Sequence, residues 1–81
     1  MLTIYSKPFC PFCDKAKHLL EDYGIEFDVV DISEDTEAYT FLTESGFRSV
    51  PQVFKNGELF VEGGYHGLSK LTEDEIKTKL G

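Results

Sequence analysis

Both cysteines of the chain fall in one short stretch, SKPFCPFCDKAK, and stand three positions apart as Cys10 and Cys13 with Pro11 and Phe12 between them. A disulfide across so short a loop removes little chain entropy, which makes a stabilising staple a poor use of the pair. Redox exchange or half of a metal site remain. A structural zinc site needs four ligands. The only histidines are His18 and His66, and His18 lies five residues after Cys13, a poor spacing for a shared face. Thiol–disulfide exchange is therefore the chemistry this spacing favours, and no metal is assigned.

Exchange needs a sulfur that both attacks and leaves. Pro11 suits the first position of a helix, where its missing N–H costs nothing and its φ is already set. Cys10 then becomes the N-cap and Cys13 the third helical residue. A Cys10 thiolate there would accept from the free amides of Phe12 and Cys13, at the positive end of the helix dipole. Cysteines in such settings fall from a pKa of about 8.5 to between about 3.5 and 7.5. With a Brønsted slope of about 0.4–0.5, each low-pKa thiolate attacks less well, but it is expelled readily from a mixed disulfide. Cys10 is expected as the attacking thiol, and Cys13, more enclosed, as the resolving one. Lys7 is either a solvent-facing loop residue or a cation that favours the Cys10 thiolate or binds a carboxylate on a small thiol substrate. Phe9 reads as a packing residue, and Phe12 as an apolar lip of the site.

Such a site has to be held by flanking elements. Leu2–Tyr5 is β-branched and aromatic and reads as a strand. Ala16, Leu19, Leu20 and Tyr23 share one helical face, with Gly24 placed to cap its end. Ile25–Ile32 reads as a second strand, partly or fully buried. Ser33 is the expected cap of a helix with Glu34, Asp35 and Glu37 in its first turn and an apolar face of Ala38, Phe41, Leu42 and, at its edge, Tyr39, ending near Gly46. Val50–Lys55 and Glu58–Glu62 flank Asn56-Gly57, a strong hairpin signal. Thr72–Glu75 forms a capping box for a last helix to Leu80. The order is β-α-β-α-β-β-α: an α/β fold with a four-stranded mixed sheet flanked by helices, as one domain over residues 1–81. The helix between the first two strands favours a parallel pair with a right-handed crossover.

Composition fits this picture. With 81 residues, 41% of them hydrophobic, the chain can build a core, although a domain this small buries only about 60% of its unfolded surface. The net charge is −7 and the eight Lys and Arg are scattered, which speaks against nucleic-acid binding. No apolar run approaches the roughly 18 residues of a membrane span. The opening MLTIYSKPF has neither a basic n-region nor a long apolar stretch, so a cytoplasmic protein is expected.

Three motifs together carry a family resemblance over essentially the whole chain. Lys7-x-x-Cys10-Pro11-Phe12-Cys13 is similar to the CPYC site of glutaredoxins, with Phe12 in place of tyrosine. Arg48-Ser49-Val50-Pro51 is similar to their TVP motif, whose proline is cis. Gly63-Gly64-Tyr65-His66 is similar to their GG pair and the turn after it. The resemblance implies a thioredoxin-like (glutaredoxin) fold, no bound cofactor, and glutathione as co-substrate. It implies that the glycine carboxylate of glutathione meets Lys7 and Arg48, beside Ser49. The cysteinyl backbone would pair with Val50 next to Pro51, and the γ-glutamyl end would sit over Gly64, Tyr65 and His66, with Phe12 as the lip. It further implies a monomer acting on disulfide-containing or glutathionylated proteins, with ribonucleotide reductase a candidate client. His66 stands where family members often carry Asp, Ser or Thr, and Ala38 where many carry Gln. Gly46-Phe47-Arg48 is also similar to glutaredoxin-like redoxins that draw electrons from thioredoxin reductase, the alternative reading.

Overall fold

The computed structural model describes residues 1–81. Its centre is β1 (Leu2–Ser6), flanked in the sheet by β2 (Phe27–Asp31) on one side and β3 (Gln52–Lys55) then β4 (Glu58–Val61) on the other, in the order β2-β1-β3-β4. β1 runs parallel to β2, with Ile4 opposite Val29, and antiparallel to β3, with Ile4 opposite Val53. The α1 helix (Pro11–Asp22) makes the crossover that a parallel pair requires. The β3–β4 hairpin turns at Asn56 and Gly57, whose φ values of 51° and 85° suit a primed two-residue turn.

Alternation along the strands separates two packed faces. Leu2 and Ile4 of β1 and Val53 of β3 bury against Ala16 and Leu20 of α1, Leu68 of α3 (Tyr65–Ser69) and Ile76 of α4 (Glu73–Leu80). Tyr5 and Phe54 belong to the opposite face. There Phe54 meets Phe41 of α2 (Thr36–Glu44) at 5.3 Å between ring centres, Tyr5 at 5.4 Å and Phe47 at 5.7 Å. Aromatic contacts of this kind contribute about 0.5–1.5 kcal/mol each beyond their burial. This cluster fixes α2, and with it the loop that follows α2 toward the active cysteines.

The element order agrees with the sequence reading, with one addition and several local corrections. The added element is α3, where Gly63–His66 read only as a turn. Gly67 interrupts its helical pattern, yet a Cβ at that position would collide with the Glu62 carbonyl, so close packing explains the glycine. The second strand is shorter than Ile25–Ile32 and is partly, not fully, buried. It lies at the sheet edge with Val29 47% exposed, while Ile25 fills the core just ahead of it. A parallel strand is buried on both faces only where helices cover both.

Ser33 does not cap α2. Its amide and hydroxyl donate to Asp31 Oδ1 at 2.8 and 2.6 Å, and these bonds hold the Asp31 carboxyl below its ordinary pKa. Asp35 caps instead, accepting from the Ala38 amide at 3.0 Å, so Glu37 alone of the three expected acids lies in the first turn. The Thr72–Glu75 capping box forms as read, with both reciprocal bonds present.

Candidate active site

The site begins with the local rule that placed Pro11 at a helix start. Cys10 is the N-cap of α1 in extended conformation, and the Cys13 amide donates to Cys10 Sγ at 3.2 Å. Of the two amides expected to serve Cys10, the one that bonds is Cys13. The two sulfurs are joined as a disulfide, with Cα atoms 5.2 Å apart. Cys13 is completely buried and Cys10 retains 8% exposure, so an incoming thiol or disulfide meets Cys10.

The long-range part comes from the Arg48–Pro51 segment. The Val50–Pro51 peptide is cis, and the Val50 carbonyl lies 3.8 Å from Cys10 Sγ, close enough to accept from the thiol when the pair is reduced. Gln52, buried directly after Pro51, steadies this segment by donating from Nε2 to the Ser49 carbonyl at 2.9 Å. Its Oε1 is buried without a partner. The amide is therefore held for its donor.

Two clefts flank this segment and share Ser49 and Val50. One, of about 530 Å³, brings Lys7 and Arg48 to the same opening. The other, of about 340 Å³, is bounded by Phe12, Pro51, Gly63, Tyr65 and His66. Phe12 is 44% exposed at the edge of this cleft, stacked near Tyr65 at 6.0 Å and tilted against His66 at 5.1 Å. The Lys15 ammonium lies 5.2 Å from the Phe12 ring centre, within cation–π range. Gly64 closes this side. At φ 57°, with a Cβ position that would collide with the Pro51 carbonyl, it admits only glycine.

The structure thus brings Lys7, Arg48, Ser49 and Val50 to one cleft and Phe12, Ser49, Val50, Pro51, Tyr65 and His66 to the other, with Gly64 against Pro51 and the Val50 carbonyl linking both clefts to Cys10. Phe9 is the exception among the residues read near the pair: it packs against nothing, being fully exposed at φ 59°. The chain turns through left-handed backbone between β1 and α1, and that turn throws the ring into solvent. Sequence reasoning missed Gln52, Lys15, Tyr39 and Phe47. A polar residue directly after Pro51 in an otherwise apolar strand was a signal for Gln52. Tyr39 was read only at the edge of the apolar face of α2 and Phe47 only within the Gly46-Phe47-Arg48 resemblance, and Lys15 gave no signal, because tertiary packing alone brings the first two to the larger cleft and Lys15 to the Phe12 ring.

A cysteine pair at a helix N-terminus beside a cis-proline segment, carried on a four-stranded mixed sheet flanked by helices, defines a thiol–disulfide oxidoreductase of thioredoxin-like fold. The Glutaredoxin family model matches residues 2–60. A glutaredoxin of Neisseria meningitidis serogroup A is 40% identical over 75 residues, covering 90% of this chain and 86% of that protein. The hybrid peroxiredoxin hyPrx5 of Haemophilus influenzae is 41% identical over 69 residues, 85% of this chain, which spans only 28% of that protein's length. Among solved structures, a buckwheat glutaredoxin–glutathione complex aligns with a TM-score of 0.76 at 24% identity, over 98% of this chain and 74% of that one, a likeness of fold. The glutaredoxin-like NrdH-redoxin of Escherichia coli aligns with a TM-score of 0.68 at 25% identity, over 95% and 91%. The chain belongs to the glutaredoxin family, with Cys10–Cys13 as its redox-active pair.

Proposed function

We propose that the chain is a glutathione-dependent dithiol oxidoreductase that reduces protein disulfides and glutathione mixed disulfides. The observation that carries this reading is the meeting of two clefts at Val50, 3.8 Å from Cys10 Sγ. A tripeptide with its cysteine at Cys10 has a cationic cleft for one end and an aromatic one for the other. The glycine carboxylate goes to Lys7 and Arg48. The cysteinyl backbone pairs with Val50 by strand addition. The γ-glutamyl end lies over Gly64, Tyr65 and His66.

The Cys10 thiolate attacks one sulfur of a substrate disulfide, forming a mixed disulfide and releasing the other sulfur as thiolate. Deprotonated Cys13 then attacks Cys10 Sγ, closing the Cys10–Cys13 disulfide and releasing the second substrate thiol, so two electrons have passed to the substrate. One glutathione thiolate reopens the pair as a Cys10–glutathione disulfide. A second removes that glutathione as oxidised glutathione and restores the dithiol. The Cys13 amide that donates to Cys10 Sγ at 3.2 Å stabilises negative charge on that sulfur both when it attacks and when it leaves. A glutathionylated protein needs Cys10 and glutathione alone. Cys13→Ser should therefore retain deglutathionylation and lose dithiol-dependent disulfide reduction.

A second reading, reduction by thioredoxin reductase, is favoured by one observation: His66 at the γ-glutamyl end brings no carboxylate to pair with an ammonium. The fold likeness to NrdH-redoxin is consistent with it. NADPH consumption by the oxidised protein decides between them. Turnover with glutathione and glutathione reductase supports the first reading, and turnover with thioredoxin reductase alone supports the second. Reduction of oxidised ribonucleotide reductase, followed in the same assay, tests that enzyme as a client.

A further inference from the structure

The larger cleft runs well beyond the place where a glycine carboxylate would meet Lys7. Pockets of about 300–1,000 Å³ enclose whole drug-sized ligands, and this one measures about 530 Å³. Most of its lining is apolar, from Ile32, Tyr39, Leu42, Phe47 and Val50. Tyr39 stays 53% exposed there, a large apolar surface left open to water.

Charge at the cleft is the reverse of charge around it. Residues 21–47, which supply most of the apolar lining, carry nine Asp and Glu and no Lys or Arg. None of those acids lines the cleft, whose charged residues are Lys7 and Arg48. Neither cation is spent internally, because the chain's ion pairs are Lys17–Asp14 and Lys77–Glu73. Two free cations beside an apolar lining complement a segment that is both apolar and acidic.

We infer that this cleft is a specificity site for polypeptide disulfides: it holds the residues that follow the client's reactive cysteine and selects an apolar side chain flanked by Asp or Glu. The inference rests on the orientation proposed above, with the glycine end of glutathione toward Lys7. Glycine follows cysteine in glutathione, so a polypeptide paired with Val50 in the same sense sends its next residues into the same cleft. The apolar side chain packs on Tyr39, Leu42 and Phe47, and the carboxylates meet Lys7 and Arg48. Carboxylates approaching these cations are also steered to them, which speeds association at low salt.

The test uses the reduced full chain and peptides activated as mixed disulfides with thionitrobenzoate. Cys10 attacks the peptide sulfur and the coloured thiolate leaves. Peptides reading Cys-Leu-Glu-Glu, Cys-Gly-Gly-Gly and Cys-Leu-Lys-Lys are compared, together with Glu-Glu-Leu-Cys, which places the same residues before the cysteine. Each rate is divided by that with dithiothreitol to remove intrinsic reactivity. The first peptide should react about tenfold faster than Cys-Gly-Gly-Gly, which lacks two exposed ion pairs and one partly packed side chain, and about tenfold faster than Cys-Leu-Lys-Lys, which exchanges the two ion pairs for two repulsions. That advantage should shrink with salt. It should collapse toward unity in Arg48→Glu, and the part of it measured against Cys-Gly-Gly-Gly should shrink in Tyr39→Ser, each read as a ratio within the variant so that loss of folded protein cancels. Equal rates for the first three peptides would overturn the inference. A preference for Glu-Glu-Leu-Cys would overturn it too, and with it the proposed orientation of glutathione. Failure of glutathione turnover alongside the expected peptide ranking would instead remove the glutathione reading and leave the cleft as assigned.

Discussion

The two clefts on either side of Val50 are built by different means. The one toward Lys7 and Arg48 is cationic, and α2 and the loop after it supply its apolar wall. The one toward His66 has no Lys, Arg, Asp or Glu in its lining. It is shaped by stacked rings and by a backbone that touches Pro51 at Gly64. On the orientation proposed above, only one end of a tripeptide or client would be met by Lys or Arg in the cleft lining. The other would be met by shape, and shape depends on close packing that a single Cβ disrupts.

The largest expected effect follows from that packing. Gly64→Val places side-chain atoms in the Pro51 carbonyl at a φ of 57°, and should cost about 3 kcal/mol. Thermal unfolding would show this as a drop of more than 10 °C, at roughly 4–8 °C per kcal/mol for a domain this small. Gly46→Ala is the matched control: its φ of 90° is also left-handed, but nothing lies within 4 Å of its Cβ position. Its cost should stay near 1 kcal/mol.

Reversing the charge of the other cleft should act on binding. Lys7→Glu with Arg48→Glu is expected to raise KM for glutathione about tenfold, with a smaller change in kcat, since two charge-assisted contacts are lost and two repulsions added. A KM unchanged in steady-state kinetics would remove charge as the basis of that end. His66→Asp sharpens the comparison in the opposite direction by giving the aromatic cleft a carboxylate. KM for glutathione should fall up to about fivefold, the range of an exposed ion pair, and the effect should fade at high salt.

Two small effects test the surroundings. Phe9 is fully exposed at φ 59°, so Phe9→Gly removes no packing and relieves the backbone. Chemical denaturation should show stability unchanged or raised by about 0.5 kcal/mol; a clear loss would mean that the ring packs after all. The smallest effect concerns Asp31, next to Ile32 of the cationic cleft. Its pKa is lowered by the bonds from Ser33. The contribution of that turn is therefore complete above the ordinary carboxylate range and fades as pH falls through the lowered value. An NMR titration should place the Asp31 midpoint below the ordinary carboxylate value, and Ser33→Ala, which removes the hydroxyl donor but keeps the amide, should move it part of the way back.

The site was legible where its parts are close in sequence. Pro11 announced the helix start, and the spacing of Cys10 and Cys13 put both thiols on its first turn. Lys7, Val50-Pro51 and Gly63-Gly64 were legible through resemblance, because each carries a backbone or charge demand that few other residues meet. Ser33 was misread as a cap because two serviceable caps stood two residues apart, and the choice fell to a bond from Ser33 back to Asp31. Phe9 was misread because an aromatic residue beside apolar neighbours looks like core, whatever the φ its turn demands.

By itself, the sequence determined a thiol pair at a helix N-terminus, a hairpin at Asn56-Gly57 and a capped last helix, since each depends on contacts within about four residues. Tertiary structure alone decided that β2 lies at the sheet edge, that α3 closes the aromatic side, and that Tyr39 and Phe47 wall the cationic cleft. It also set the Val50 carbonyl 3.8 Å from a cysteine forty residues away in the chain. Those outcomes depend on which strand lies beside which and how the helices fill the faces. Such relations come from the burial of the whole chain at once, so no short segment encodes them.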